Sequence, residues 1–181
     1  QIKEQKLIVE ARQAQLQSLQ MQINPHFLYN TLEIIRNLVV FDPARADSLI
    51  IQLTQILRYS IDTSREYVHL DEDMAYIGDY LDIQKCRYGD RLQYEIDIGE
   101  DCLPCMIPKL VLQPIIENSI KYGFQKKQQI HILITGRLDN SLLLLSVKDD
   151  GLGMPEAEAL GLAETLHSPR PGSEHIGLRN I

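Results

Sequence analysis

Ile2, Val9, Leu16 and Ile23 recur every seven residues, with Leu19 three beyond Leu16, so the chain opens on a heptad seam with a Gln-rich exterior. Gln5 and Arg12 fall near the companion positions. So narrow a stripe suits a partner helix better than a globular core. The pattern changes at Pro25, a residue that breaks or kinks a helix it falls inside. Beyond it Phe27, Leu28, Leu32, Ile34, Ile35, Leu38 and Val39 form a broader helical face. Asp42-Pro43 separates this segment from a second helix, predicted from Ala44 to Ile61, with Leu49/Ile50, Leu53 and Ile56/Leu57 on one side. Two helices joined so closely make an antiparallel hairpin. A lone hairpin cannot bury both faces, whereas two copies forming a four-helix bundle can.

Residues 62–70 read as a polar connector. Asp71 is expected to cap a third helix through Arg87, with Met74, Ile77 and Leu81 inward. Gly89-Asp90 marks a turn, and the alternation of Leu92, Tyr94, Ile96 and Ile98 predicts a strand. Pro108 fits the first turn of a helix ending near Tyr122. Ile130, Ile132 and Ile134 predict a second strand, Asp139-Asn140 turns it, and Leu142–Val147 returns. Pro155, Gly161, Pro169, Pro171 and Gly172 give residues 154–174 a loop composition. The expected fold class is α+β. A coiled-coil helix over 1–22 leads to a dimerising hairpin over 23–65 and then a two-layer α/β domain over 66–181.

Charged residues at 24% and hydrophobic residues at 44% are those of an ordinary globular domain. No apolar run reaches the ~18 residues that span a membrane. The net charge is −7: residues 1–65 carry 7 basic and 6 acidic side chains, residues 66–181 carry 11 and 19. That balance argues against a nucleic-acid backbone, which needs a basic face. It leaves room for a nucleotide, whose charge one metal ion and backbone amides can meet. Cys102-Leu-Pro-Cys105 has the spacing of half a zinc site or a redox pair, but no second Cys/His pair accompanies it. Together with Cys86 the thiols read as incidental and reduced, in keeping with a reducing cytoplasm.

Four places carry candidate chemistry. His26 follows Pro25, and its bland reading is a solvated histidine at a kink. Asn118, Lys121 and Tyr122 fall at i, i+3 and i+4 and so share a helix face. A neutral amide oxygen there can ligate Mg²⁺ and a lysine can meet phosphate charge; the bland reading is a polar face with a Glu117–Lys121 pair. Asp149-Asp-Gly151-Leu-Gly153 follows a strand, where a carboxylate can accept from an exocyclic amine and glycines admit close backbone approach. Asp and Gly are also common turn residues. His175-Ile-Gly177-Leu178 opens an apolar segment that, as a helix start, would aim free N–H groups at phosphates.

The stretch from Asn24 through Pro25, His26, Phe27, Leu28, Tyr29 and Asn30 to Leu32 resembles the phosphoacceptor box of the LytS/YesM-type sensor histidine kinases. The Asn118, Asp149 and Gly177 segments, in that order, resemble the N, G1 and G2 boxes of the Bergerat-type ATP fold. Tyr80 to Arg91 is similar to the family's lead-in to that domain. The resemblance implies that His26 takes a phosphoryl group from ATP and passes it to an aspartate on a response regulator receiver domain. It implies that Asp149 holds adenine, that Asn118 ligates Mg²⁺ and that Lys121 lies near phosphate with Tyr122 beside it. Gly151, Gly153, Gly177 and Leu178 would shape the pocket, with residues 154–174 as its lid. It further implies a homodimer that forms the cytoplasmic part of a bacterial plasma-membrane sensor, anchored through segments outside this chain. Two departures stand out. The first glycine of the third box is replaced by His175, and the family fold continues past Ile181. Phe27 stands where many histidine kinases place an acid. Asn30, about 6 Å along a helix, can orient the ring; Glu33, about 10 Å away, is too far; Glu117 could approach by docking, and the base stays unassigned. Two rival readings remain: another Bergerat-type ATPase without a phosphohistidine, and a non-enzymatic dimerisation module with a degenerate pocket.

Overall fold

The computed structural model describes residues 24–125 and 127–153 of the chain. The heptad seam, the segment 154–174, Gly177 and Leu178 lie outside the described residues. Among the described residues two compact units emerge: those up to Arg65 together with Gly78–Arg87, and Glu66–Ile77 together with those from Tyr88 onward.

In the first unit, α1 (Pro25–Phe41) begins at a built start signal. Asn24 is extended (φ −64°, ψ 108°), and its side-chain oxygen accepts the N–H groups of His26 at 3.1 Å and Phe27 at 3.3 Å. Pro25 takes the first helical position, where a missing N–H is harmless. Pro25 therefore starts a helix, and is not a kink inside a continuing one, as its place in the sequence had suggested. α1 buries Phe27, Thr31 and Ile35, and the Thr31 hydroxyl donates to the Phe27 carbonyl at 2.8 Å. α2 (Pro43–Ile61) starts the same way, with Asp42 accepting the Arg45 N–H at 3.0 Å. It buries Ala46, Leu49, Leu53, Ile56 and Ser60. Leu49 is fully enclosed, a burial worth ~1.5–3 kcal/mol.

Residues 78–87 of α3 (Leu70–Tyr88) pack on this hairpin. The Tyr80 ring lies 5.0 Å from that of Phe27. Gln52 donates to Asp82 at 3.2 Å, and Arg45 donates to Cys86 Sγ at 2.9 Å. The apolar surface of the hairpin is thus divided. α3 covers one part, while Leu32, Val39, Ile50 and Ile61 stay 46–58% exposed.

The second unit opens with a strand where a polar connector was expected. β1 (Tyr67–His69) pairs antiparallel with β3 (Met106–Pro108), Val68 opposite Ile107. α3 starts at Leu70, so Asp71 lies in its first turn and is not its cap. The first N–H groups of this helix, on Leu70 and Asp71, donate to the carbonyls of Cys105 at 2.9 Å and Leu103 at 3.2 Å. Asp73 is fully buried and accepts the N–H of Leu110 at 2.9 Å, which holds that residue at φ +62°. Pro108 ends β3 instead of opening a helix; lacking an N–H, it suits the end of an edge strand. The helix begins further on, as α4 (Gln113–Gly123), with Pro114 in its first turn.

β2 (Leu92–Ile98), β4 (Ile130–Asp139) and β5 (Leu142–Asp149) form a sheet of order β2-β4-β5, parallel then antiparallel. Asn140 and Ser141, at φ 47° and 71°, make the two-residue hairpin turn whose twist matches its strands. Ile130, Ile132 and Ile134 alternate to one face and are buried. α4 lies against β4 and β5 through Ile116, Ser119, Ile120 and Gly123. The chain is therefore α+β, a helical hairpin followed by a β-rich region with a helix on its sheet.

Candidate functional site

His26 is exposed in the first turn of α1. The side-chain amide of Asn30, one turn on, lies 3.1 Å from Nδ1 and 3.3 Å from Nε2. It thus steers the ring without selecting a tautomer. Phe27, buried against Tyr80, fixes the turn from which His26 projects. Helix N-termini carry a partial positive charge, so this position favours any anionic group the imidazole acquires.

In the other unit Asp149 ends β5 opposite Ile132 of β4. Its Oδ1 accepts the Gly151 N–H at 2.9 Å and its Oδ2 the Ser119 hydroxyl at 2.8 Å. Two glycines here sit where a side chain would be crowded. A Cβ on Gly151 would fall 2.6 Å from Asp149 Oδ1 and 3.7 Å from the Gly123 Cα. A Cβ on Gly123 would meet Ile130 Cγ2 at 2.8 Å. Gly153, at φ +66°, is in the left-handed region that favours glycine.

Asp150 plays a different part. Its Oδ1 accepts the His131 N–H at 2.8 Å, its own N–H donates to the His131 carbonyl at 3.1 Å, and Lys127 pairs with it at 3.3 Å. The His131 N–H holds this carboxyl below its ordinary range, against an opposing effect of burial and with help from Lys127. Asp150 thereby locks the end of the β4–β5 ladder and sets the course of the Asp149–Gly151 turn.

Asn118 is half-buried on α4, and Lys121 and Tyr122 are exposed. Lys121 lies over the Tyr122 ring at 5.1 Å instead of pairing with Glu117. Glu117 accepts from Gln113 at 2.8 Å, and burial pushes its carboxyl up, with the Gln113 amide partly opposing. Asp149, Gly151 and the Asn118-bearing helix are thus brought together. Ser119 and Gly123 were missed by sequence reasoning. Their signal was small residues at buried-face spacing, in step with Ile116 and Ile120. The stretch Tyr88 to Arg91 also gains a reason. Tyr88 stacks on Phe124 at 4.2 Å, and Arg91 sits 5.0 Å over the same ring while donating to the Gln128 carbonyl at 2.8 Å. This packing anchors the C-terminal end of α4.

Among the described residues no group of three His, Cys, Asp or Glu side chains could hold a metal, and no helix is long and apolar enough to cross a membrane. Cys86, Cys102 and Cys105 are free thiols.

Comparison with known proteins bears on this arrangement. Residues 14–92 match the family described as histidine kinase. An uncharacterized sensor-like histidine kinase of Staphylococcus epidermidis is 36% identical over 170 residues, 94% of this chain and 33% of that protein. The sensor protein kinase HptS of Staphylococcus aureus is 34% identical over the same shares. The chain thus spans about a third of the length of the curated relatives it matches. Among solved structures, the histidine kinase domain of a blue-light activated histidine kinase from Erythrobacter litoralis superposes with a TM-score of 0.44 at 16% identity, covering 92% of this chain and 79% of that one. Over residues 14–92 the chain is thus similar to the histidine kinase family, and over 94% of its length it is similar to these staphylococcal sensor kinases.

Proposed function

We propose that the chain is the cytoplasmic catalytic part of a dimeric sensor histidine kinase of the LytS/YesM type. It autophosphorylates His26 from ATP and passes the phosphoryl group to a receiver aspartate of a response regulator. The observation that carries this reading is His26 itself: exposed, in the first turn of a capped helix, with Asn30 steering its ring.

The second unit has residues that fit a nucleotide. Each oxygen of Asp149 takes one intrachain donor and keeps acceptor capacity for another. A Cβ on Gly151 would press on the Asp149 carboxylate, and Gly153 has the positive φ that favours glycine. Asn118 offers the neutral oxygen that Mg²⁺ accepts alongside phosphate and water. Bound Mg–ATP would supply the transferable phosphoryl group, and Lys121 could meet its phosphate charge, with Tyr122 beside it. A neutral His26 nitrogen attacks phosphorus, ADP leaves, and the ring sheds the proton on its other nitrogen. Such transfers depend mainly on positioning and charge neutralisation, so a strong base beside His26 is not required. The exposed Leu32, Val39, Ile50 and Ile61 support a homodimeric bundle.

Labelling with γ-phosphate-tagged ATP tests the reading. The full-length protein should gain acid-labile, base-stable phosphate, and His26→Gln should abolish it while nucleotide still binds. Undiminished labelling of that variant, or ATP hydrolysis without a phosphoprotein, would sink the assignment.

A further inference from the structure

We infer that Ser119 is a positioning residue for base recognition, a role that rests on the nucleotide reading of Asp149. Ser119 is 7% exposed on the inner face of α4, and its hydroxyl donates to Asp149 Oδ2 at 2.8 Å. The Gly151 N–H donates to Oδ1 at 2.9 Å. The terminal torsion of an aspartate is broad, so a carboxylate alone does not hold its plane. One donor on each oxygen does hold it.

The same two bonds decide what can approach. An ionised carboxylate has about four acceptor sites, and the two intrachain donors leave the rest open. Because a backbone N–H can only donate, Oδ1 meets Gly151 as an acceptor. A further group that bonds to that oxygen must then be a donor, which the exocyclic amine of adenine is. The Gly151 donor belongs to the backbone, so Ser119 is the part of this clamp that a side-chain change can remove. Its bond also ties the turn of α4 that carries Asn118 to the strand end that carries Asp149. The hydroxyl thus sets the acceptor for the base beside the amide offered to the metal.

The test is titration calorimetry on the full-length protein with Mg²⁺, comparing ADP with purine riboside diphosphate, which lacks the 6-amino group. Ser119→Ala should fold, since alanine is the best helix former. It should weaken ADP about 2- to 10-fold, the range for one lost hydrogen bond, and leave purine riboside diphosphate unchanged. Asp149→Asn should erase the preference for ADP altogether. If Ser119→Ala lowers both ligands equally, or neither, while Asp149→Asn erases the preference, the role of Ser119 is overturned and Asp149 stands as the base acceptor. If wild type shows no preference, or the preference survives Asp149→Asn, the nucleotide reading of Asp149 fails and the role of Ser119 falls with it.

Discussion

The amide nitrogen of Asn30 sits 3.1 Å from Nδ1 of His26, one turn along the same helix. A ring held this way samples fewer orientations, and loss of alignment slows a transfer that depends on it. Asn30→Ala should therefore lower His26 phosphorylation about 3- to 10-fold, the size of one modest hydrogen bond, without changing ATP affinity. Phosphate incorporation and nucleotide titration on the same samples separate the two effects, and a change confined to affinity would contradict the role.

The two close glycines should fail differently. Gly123→Ala drives a Cβ to 2.8 Å from the branched carbon chain of Ile130, a core residue that cannot swing aside. Overpacking of this kind typically destabilises by ~1–3 kcal/mol. Gly151→Ala instead meets the Asp149 carboxylate at 2.6 Å, which can turn away only by loosening its bonds to Ser119 and Gly151. Urea melts should show the first variant weakened more than the second, while nucleotide titration shows the second impaired. Equal melting midpoints for all three proteins would contradict the packing at Gly123.

How much of this could be read from residues differs from element to element. The three strands of the larger sheet show in their alternation because one face is buried and the other is wet, as at Ile130, Ile132 and Ile134. The hairpin helices show in their periodicity and in Asp42-Pro43. β1 was not legible, because three residues carry too little pattern and its partner β3 is remote in sequence. Pro108 misled for the same reason: whether a proline opens a helix or ends an edge strand depends on what lies across from it. At the site, Asn118, Asp149 and Gly151 stood out by type. Ser119 and Gly123 did not, since their importance lies in contacts with another element, and Asp150 carried no role in the sequence until its bonds to His131 gave it one.

Glu117 gives a pH-dependent prediction. Its carboxyl is raised by burial, so the folded protein binds this proton more tightly than the unfolded chain does. The group's contribution is then fully present below the ordinary carboxyl pKa of ~4.3 and is lost as pH rises through the folded value. Glu117→Gln removes the charge while keeping an oxygen for the Gln113 amide. It should raise the melting temperature at pH 7 and have a much smaller effect at pH 4. A gain of the same size at both pH values would mean that desolvation of the carboxylate is not its source.

Assembly can be tested on residues that are exposed within one copy. Leu32 and Ile50 are 48% and 46% exposed, on α1 and α2. Replacing both with Glu should leave the fold intact, because neither is enclosed, yet remove apolar area worth ~25 cal/mol per Å² from a bundle interface. Light scattering at micromolar concentration should then find a dimer for the wild type and a monomer for the variant, with circular dichroism unchanged. A dimer in both would place the interface elsewhere.

The start of α3 has a consequence for the order of events as the chain folds. Its first two N–H groups are met by the carbonyls of Cys105 and Leu103, not by a neighbouring side chain. Neither acceptor is in place until the chain between Leu70 and Cys105 has doubled back and β1 has found β3. Closing such a loop loses entropy before any contact returns it. The capping of this helix is therefore completed only with that pairing, water meeting the two N–H groups until then. During synthesis the cap must wait for residues that leave the ribosome well after its own.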